Sequence, residues 1–229
     1  MAHIDINMIS NALGRAVDFT LILPTKTSPT LESNYDAKTN TYYQDKRNKK
    51  YPLLILLHGY LNDEKNWGRY ARAEFYAEEN NIAICMVNGE NKFYMNWDTP
   101  VTKDNFIAGL SMGGFGALFH GLTNSRSYSA IGAFSAPYTQ MKELGFDFKK
   151  IIGRKTDIPF IYMSCGDKDT LLKDNDDIDK DLNEMGISHL YNIVPGYAHE
   201  WRFWDLELER FIKGLKRTDP YKEDSPRGV

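Results

Sequence analysis

At 229 residues, with 42% hydrophobic and 26% charged side chains, the chain has the size and composition of one globular domain with a sizeable core. Its 28 Lys and Arg against 31 Asp and Glu leave a net charge of -3, which offers no overall positive field to gather a phosphate backbone, so nucleic acid is not an expected partner. Apolar runs such as Leu53 to Leu57 and Ile82 to Val87 fall far short of the roughly 20 residues a membrane-spanning helix needs, so no membrane association is expected.

The opening MAHIDINMIS lacks the basic start, apolar run and small-residue cleavage site of a secretory signal, which leads to the expectation of a cytoplasmic protein. Residues Ile4 to Ile9 and Ala16 to Leu23 read as a strand pair. A polar stretch from Thr25 to Lys50 follows and reads as a surface connection or hairpin. Four short apolar runs come next: Pro52 to His58, Ile82 to Asn88, Asn105 to Ser111 and Ala130 to Ala136. Being continuous rather than alternating, they suit strands covered on both faces, as in a parallel sheet.

Helical patterns at Trp67 to Asn80 and Met112 to Thr123 separate these strands. A strand at Phe160 to Gly166, a helix at Asp176 to Met185, a strand at His189 to Val194 and a helix at Glu200 to Leu215 complete the alternation. The pattern predicts an α/β fold, with residues 1–216 as one domain and 217–229 as a flexible polar tail. The two cysteines, Cys85 and Cys165, lie in apolar runs and read as buried thiols. None of the five histidines has metal-ligand spacing, so neither metal nor cofactor is expected.

The sharpest chemical signal is Gly109-Leu110-Ser111-Met112-Gly113, a G-x-S-x-G placed between a strand and a glycine-rich helix. Such a turn pushes the serine hydroxyl out above the sheet, making Ser111 the candidate nucleophile. A serine hydroxyl needs a base to take its proton and a carboxylate to orient that base. Asp167 and Asp169 follow the strand ending at Gly166, and His199 lies on the turn before the last helix. The order serine, acid, histidine is that of an α/β-hydrolase.

Spacing alone does not separate Asp167 from Asp169, whereas Asp174, Asp176 and Asp177 read as helix-start charges. The oxyanion donors are expected to be the backbone N–H groups of Met112, just after the nucleophile, and Tyr60, in the loop His58-Gly59-Tyr60-Leu61. His58 itself reads as a hydrogen-bonded turn histidine. Trp67, Phe93, Tyr94, Trp97 and Trp201 are candidates for the walls of a substrate pocket, with Trp67, Trp97 and Trp201 foremost.

The runs FIAGLSMGGFGAL, LLILLHGYLNDEKNW, CGDKDTLL and AHEWRFWDLELERF together resemble the α/β-hydrolase esterases grouped with esterase D, especially bacterial tributyrin, acetyl and feruloyl esterases. The resemblance covers about Tyr51 to Leu215 and implies an α/β-hydrolase fold with a mostly parallel sheet and helices on both faces. It places the acid at Asp169, flanked by Gly166 and Leu171, with Asp167 as runner-up. It places the base at His199, followed by Glu200, Trp201 and Trp204. The chain departs from the family in the run Asn88 to Asn105, which leaves little room for the usual helix, and in a short stretch from Pro137 to Asp157, where relatives carry lid-like loops.

The resulting expectation is a serine carboxylesterase acting on small-molecule acetyl, butyryl or hydroxycinnamoyl esters, including those on carbohydrates, through an acyl-enzyme on Ser111. S-formylglutathione hydrolysis, other thioester hydrolysis, acyl transfer and a non-catalytic binding role on the same fold are the alternatives. Homo-oligomerisation is left open.

Overall fold

Apolar residues alternate between the two faces of each central strand, and helices cover both. The computed structural model describes residues 1–11, 13–24, 35–36, 41–42, 50–94, 105–153 and 157–217. Its strands are β1 (Ala2–Ser10), β2 (Arg15–Leu23), β3 (Tyr35–Asp36), β4 (Thr41–Tyr42), β5 (Leu53–Leu57), β6 (Ala83–Val87), β7 (Asn105–Leu110), β8 (Ala130–Phe134), β9 (Phe160–Gly166) and β10 (His189–Val194). Its helices are α1 (Asn66–Tyr70), α2 (Ala73–Asn80), α3 (Met112–Thr123), α4 (Tyr138–Glu143), α5 (Phe148–Ile152), α6 (Leu172–Glu184) and α7 (Trp201–Gly214).

Eight strands form one sheet in the order β1-β2-β6-β5-β7-β8-β9-β10. The β1/β2 and β2/β6 pairs are antiparallel and the remaining pairs parallel. Within the polar stretch, β3 and β4 form a separate antiparallel pair.

Leu54, Leu56, Ile84, Met86, Phe106, Ala108 and Tyr162 point to the face covered by α2 and α7, where they meet Tyr76, Phe203, Leu208 and Phe211. Leu57, Val87, Ile107, Ile131, Ile161 and Met163 point to the opposite face, where α3, α4, α5 and α6 add Phe115, Leu118, Met141, Phe148, Ile178 and Leu182. The period-two split of each strand between two cores is why its sequence reads as a continuous apolar run. All the parallel strands end at one edge, so the loops that follow Leu57, Val87, Leu110, Phe134, Gly166 and Val194 converge there.

The structure departs from the sequence reading in three places. The helix expected over Trp67 to Asn80 is two helices, because Ala71 is extended and the Arg72 N–H is taken at 2.8 Å by Asp205 Oδ1 of α7. The helix expected from Asp176 begins at Leu172 instead, its first turn following directly on the Asp169 turn. Arg217, expected to open the tail, is buried, and its guanidinium donates to the Asn80 and Asn81 carbonyls at the end of α2.

Between β8 and β9, where lid-like loops were expected to be short, α4 is fastened to α6. Thr139 N and Oγ1 donate to Asp174 at 2.9 and 2.8 Å, Tyr138 donates to Asp181, and Asn175 exchanges hydrogen bonds with the Ala136 backbone. No helix among the described residues is long and apolar enough to cross a membrane.

Candidate active site

The turn after β7 sets Ser111 at φ 51° and ψ -120°, outside the ordinary regions for an L-residue. Two close approaches make that turn possible. A Cβ on Gly109 would fall 2.4 Å from the Gly113 carbonyl oxygen, and one on Gly113 would fall 2.5 Å from the Leu57 carbonyl oxygen. The flanking glycines therefore let α3 start tight against β7 and β5, with the Ser111 N–H anchored to the Phe134 carbonyl at 2.8 Å.

Ser111 Oγ lies 3.1 Å from His199 Nε2, and His199 Nδ1 lies 3.1 and 3.0 Å from the two oxygens of Asp169. Because a carboxylate only accepts, Nδ1 carries the imidazole proton and donates it to Asp169. Nε2 is then free to accept the hydrogen of Ser111. Asp169 is buried on its loop, and burial by itself is the largest influence on its carboxyl, pushing it up. Hydrogen bonds from His199, the Leu171 N–H and Ser135 Oγ together outweigh burial and hold the group below the usual carboxylate range.

Asp167 faces elsewhere. Its Oδ1 accepts the Gly196 N–H at 2.7 Å, and the neighbouring Lys168 N–H reaches the Tyr197 carbonyl at 2.9 Å, so this loop braces the turn that carries His199. Three of the other histidines are engaged away from Ser111: His120 with the Tyr94 carbonyl, His189 with Asp179, and His3 with Glu74.

Ser135 is a member of the site that sequence reasoning misses. It is fully buried, has φ 52°, and donates to Asp169 Oδ2 at 2.7 Å. Trp204 Nε1–H donates to its oxygen at 3.3 Å, while the Trp204 ring meets His199 edge-on at 4.8 Å. The one sequence signal was its place at the end of β8, on the edge where the other loops converge.

Tyr60 lies beside Ser111 in the loop after β5. Met112 opens α3, and the N–H groups of a helix's first turn have no acceptor inside the helix. His58 is buried: its Nε2 accepts the Gly89 N–H at 3.0 Å, so Nδ1 bears the proton and donates to the Gly59 carbonyl at 2.7 Å. Burial holds the His58 ring below its ordinary value, against the opposing effect of the Gly59 carbonyl, and so keeps it neutral. Tyr94 donates to the His58 carbonyl at 3.0 Å and Asn91 Oδ1 accepts the Leu61 N–H at 2.8 Å. The segment after β6 thus clamps the Tyr60 loop from below.

Gly59, Tyr60, Asn62, Leu110, Ser111, His199, Glu200, Trp201 and Trp204 surround an open depression of about 420 Å³. Trp201 is on its wall. Trp67 is not: it has 0% exposure, its indole N–H is spent on the Leu57 carbonyl at 2.9 Å, and it supports Trp201 from behind at 5.3 Å. Tyr94 is likewise buried under the loop, and Phe93 rests between Tyr60 and Phe115. Trp97 lies outside the described residues. Among the described residues no group of three or more His, Cys, Asp or Glu is placed to hold a metal ion.

The profile of the Esterase family matches residues 99–211, a span that contains Ser111, Asp169 and His199. An acetyl esterase of Caldicellulosiruptor saccharolyticus is 27% identical over an alignment of 275 positions, covering 95% of this chain and 99% of that protein. Among solved structures, an S-formylglutathione hydrolase of Staphylococcus aureus superposes with a TM-score of 0.73 at 25% identity, covering 92% of this chain and 97% of its own. The fluorophosphonate-binding serine hydrolase F of the same organism gives 0.72 at 26%, covering 92% and 96%. The fold, the match to the Esterase family over residues 99–211 and these relatives agree: the chain has an α/β-hydrolase fold and is a carboxylic ester hydrolase of the serine type, similar to esterase D-like enzymes.

Proposed function

We propose that this carboxylesterase cleaves small acyl esters through an acyl-enzyme on Ser111. Oγ bonds to the ester carbonyl carbon as His199 Nε2 takes its proton, and Asp169 holds the imidazole in the tautomer this requires. The Tyr60 and Met112 N–H groups receive the charge that develops on the carbonyl oxygen. As the carbon–oxygen bond to the alcohol breaks, the proton passes from His199 to the departing oxygen. Water, deprotonated by His199, then attacks the acyl carbon, and Ser111 recovers its proton on release of the acid.

The observation that carries this reading is the unbroken contact line from Ser111 Oγ through His199 to Asp169, at 3.1, 3.1 and 3.0 Å. Short acyl groups suit an open depression of about 420 Å³, and the Caldicellulosiruptor relative is an acetyl esterase. Likeness to an S-formylglutathione hydrolase supports a thioesterase as second reading. Against it, the described residues around the depression include no Lys or Arg to meet the carboxylates of glutathione.

The test is hydrolysis of p-nitrophenyl esters from acetate to octanoate, with methyl ferulate, acetylated xylose and S-formylglutathione, by wild type and Ser111→Ala. Ser111-dependent turnover of oxygen esters, strongest from acetate to butyrate, is expected. Turnover that survives Ser111→Ala, or that is confined to the thioester, overturns the proposal.

A further inference from the structure

We propose that Trp201 and Tyr70 form the leaving-group subsite of this esterase, an aromatic shelf for an uncharged alcohol that carries a ring. The inference rests on His199 being the base proposed above. The proton that His199 removes from Ser111 must be returned to the departing alcohol oxygen, so the alcohol lies on the His199 side of the depression.

On that side the wall is Trp201, carried with His199 at the start of α7. Its ring is fixed by three others: Trp67 at 5.3 Å and 90°, Trp204 at 5.4 Å and 89°, and Tyr70 at 5.2 Å and 32°. Trp67 and Trp204 bring their rings edge-on and belong to the core, whereas Tyr70 lies more nearly flat and is 56% exposed. Ring contacts therefore run from His199 through Trp204 and Trp201 to Tyr70 at the surface, at 4.8, 5.4 and 5.2 Å.

Core packing alone does not account for the last member: the Tyr70 ring is exposed and, though not itself one of the residues around the depression, lies against Trp201, which is. A shelf held rigid before the ester arrives loses little entropy when a flat group settles on it.

Charge narrows the ligand. Among the described residues around the depression, Glu200 is the one ionisable carboxylate and none is Lys or Arg. The cations near Tyr70 in sequence, Lys65, Arg69 and Arg72, are matched by Asp5 at 3.3 Å, Asp63 at 3.6 Å and Asp205 at 3.2 Å. An anionic alcohol would find no counter-charge among these described residues, while a neutral ring with a flat apolar face, aryl or pyranose, would find a stacking surface.

The test uses three acetate esters that all pass through the same acetyl-Ser111 intermediate: methyl acetate, phenyl acetate and a monoacetylated methyl xyloside. For wild type, Tyr70→Ala and Tyr70→Phe, the readout is kcat/KM for each ring ester relative to methyl acetate. Tyr70→Ala is expected to lower that ratio by about three- to tenfold, mainly through KM, and Tyr70→Phe to restore it. A drop with phenyl acetate alone assigns the shelf to aryl alcohols; a drop with the xyloside alone assigns it to sugars. An unchanged ratio, or equal loss on all three esters, overturns the subsite. Ser111→Ala is run in parallel: activity surviving that change sinks the triad reading itself, whereas an inactive Ser111→Ala with an unchanged Tyr70→Ala ratio sinks the subsite alone.

Discussion

His199 Nε2 stands 3.1 Å from Ser111 Oγ although 88 residues separate them in the chain. Neither residue reaches the other by local structure. Ser111 is thrust forward by the turn after β7 and His199 by the turn after β10, and the two turns meet because parallel strands end at a common edge of the sheet. The proposed nucleophile and its proposed base are thereby held on separate supports, so removing either side chain should disturb the chemistry more than the fold.

Ser111→Ala and His199→Ala are each expected to reduce kcat on p-nitrophenyl acetate by on the order of 10⁵- to 10⁶-fold, as the parts of a triad act as one unit. Circular dichroism and melting temperature should stay close to wild type. Retained turnover in either variant would remove that residue from the mechanism.

The two loop aspartates should separate cleanly. Asp169→Asn leaves His199 Nδ1 facing an amide that can donate as well as accept, which spoils the tautomer and should lower kcat by about 10⁴-fold. Asp167→Asn keeps an oxygen for the Gly196 N–H and is expected to stay within about threefold of wild type, since that contact only braces the loop. The reverse order of effects would move the acid to Asp167.

Loosening the loop that holds the Tyr60 N–H should weaken transition-state stabilisation without touching the base. Tyr94→Phe removes the bond to the His58 carbonyl, and Asn91→Ala removes the acceptor of the Leu61 N–H. Each is expected to lower kcat by about tenfold, well below the loss of an oxyanion donor outright. Affinity for a boronic acid transition-state analogue should fall in proportion, with the acid limb of the pH–rate profile unmoved. A lower melting temperature with unaltered kcat would mean that the clamp serves only stability.

Stability should decline on mild acidification. Burial lowers the proton affinity of His58 and His120 in the folded state below the ordinary value of 6.5. Below that value the unfolded chain binds protons that the folded chain does not, so the slope of unfolding free energy with pH is positive there. Protonation would also take from His58 the Nε2 lone pair that accepts the Gly89 N–H. Melting temperatures followed from pH 8 to 5 should hold steady at first and then fall through the range below about 6.5; a flat profile down to pH 5 would contradict this account.

Much of the machinery is legible in the residues because it is local. Gly109 to Gly113 encode the turn that exposes Ser111, and the position of His199 between a strand and a helix puts it on the same edge of the sheet. What local pattern does not carry is the direction in which a side chain points. Asp167 and Asp169 are two residues apart on one turn and chemically alike, yet Asp169 turns inward to His199 and Ser135 while Asp167 turns to Gly196.

Trp67 and Trp201 likewise look equally suited to a pocket, and Ser135 looks like an ordinary strand end. Which tryptophan is sealed into the core, and which serine lies behind the acid, follows from how α7 and α1 settle on the sheet. The sequence by itself determined the alternation of strands and helices, the strained nucleophile turn and the order of the reacting groups, all of which depend on neighbours along the chain. The tertiary structure alone showed which loop aspartate faces His199, beyond what the family resemblance implied for Asp169, and which serine lies behind it and which tryptophan lines the depression, because each depends on contacts between segments that only the packed sheet brings together.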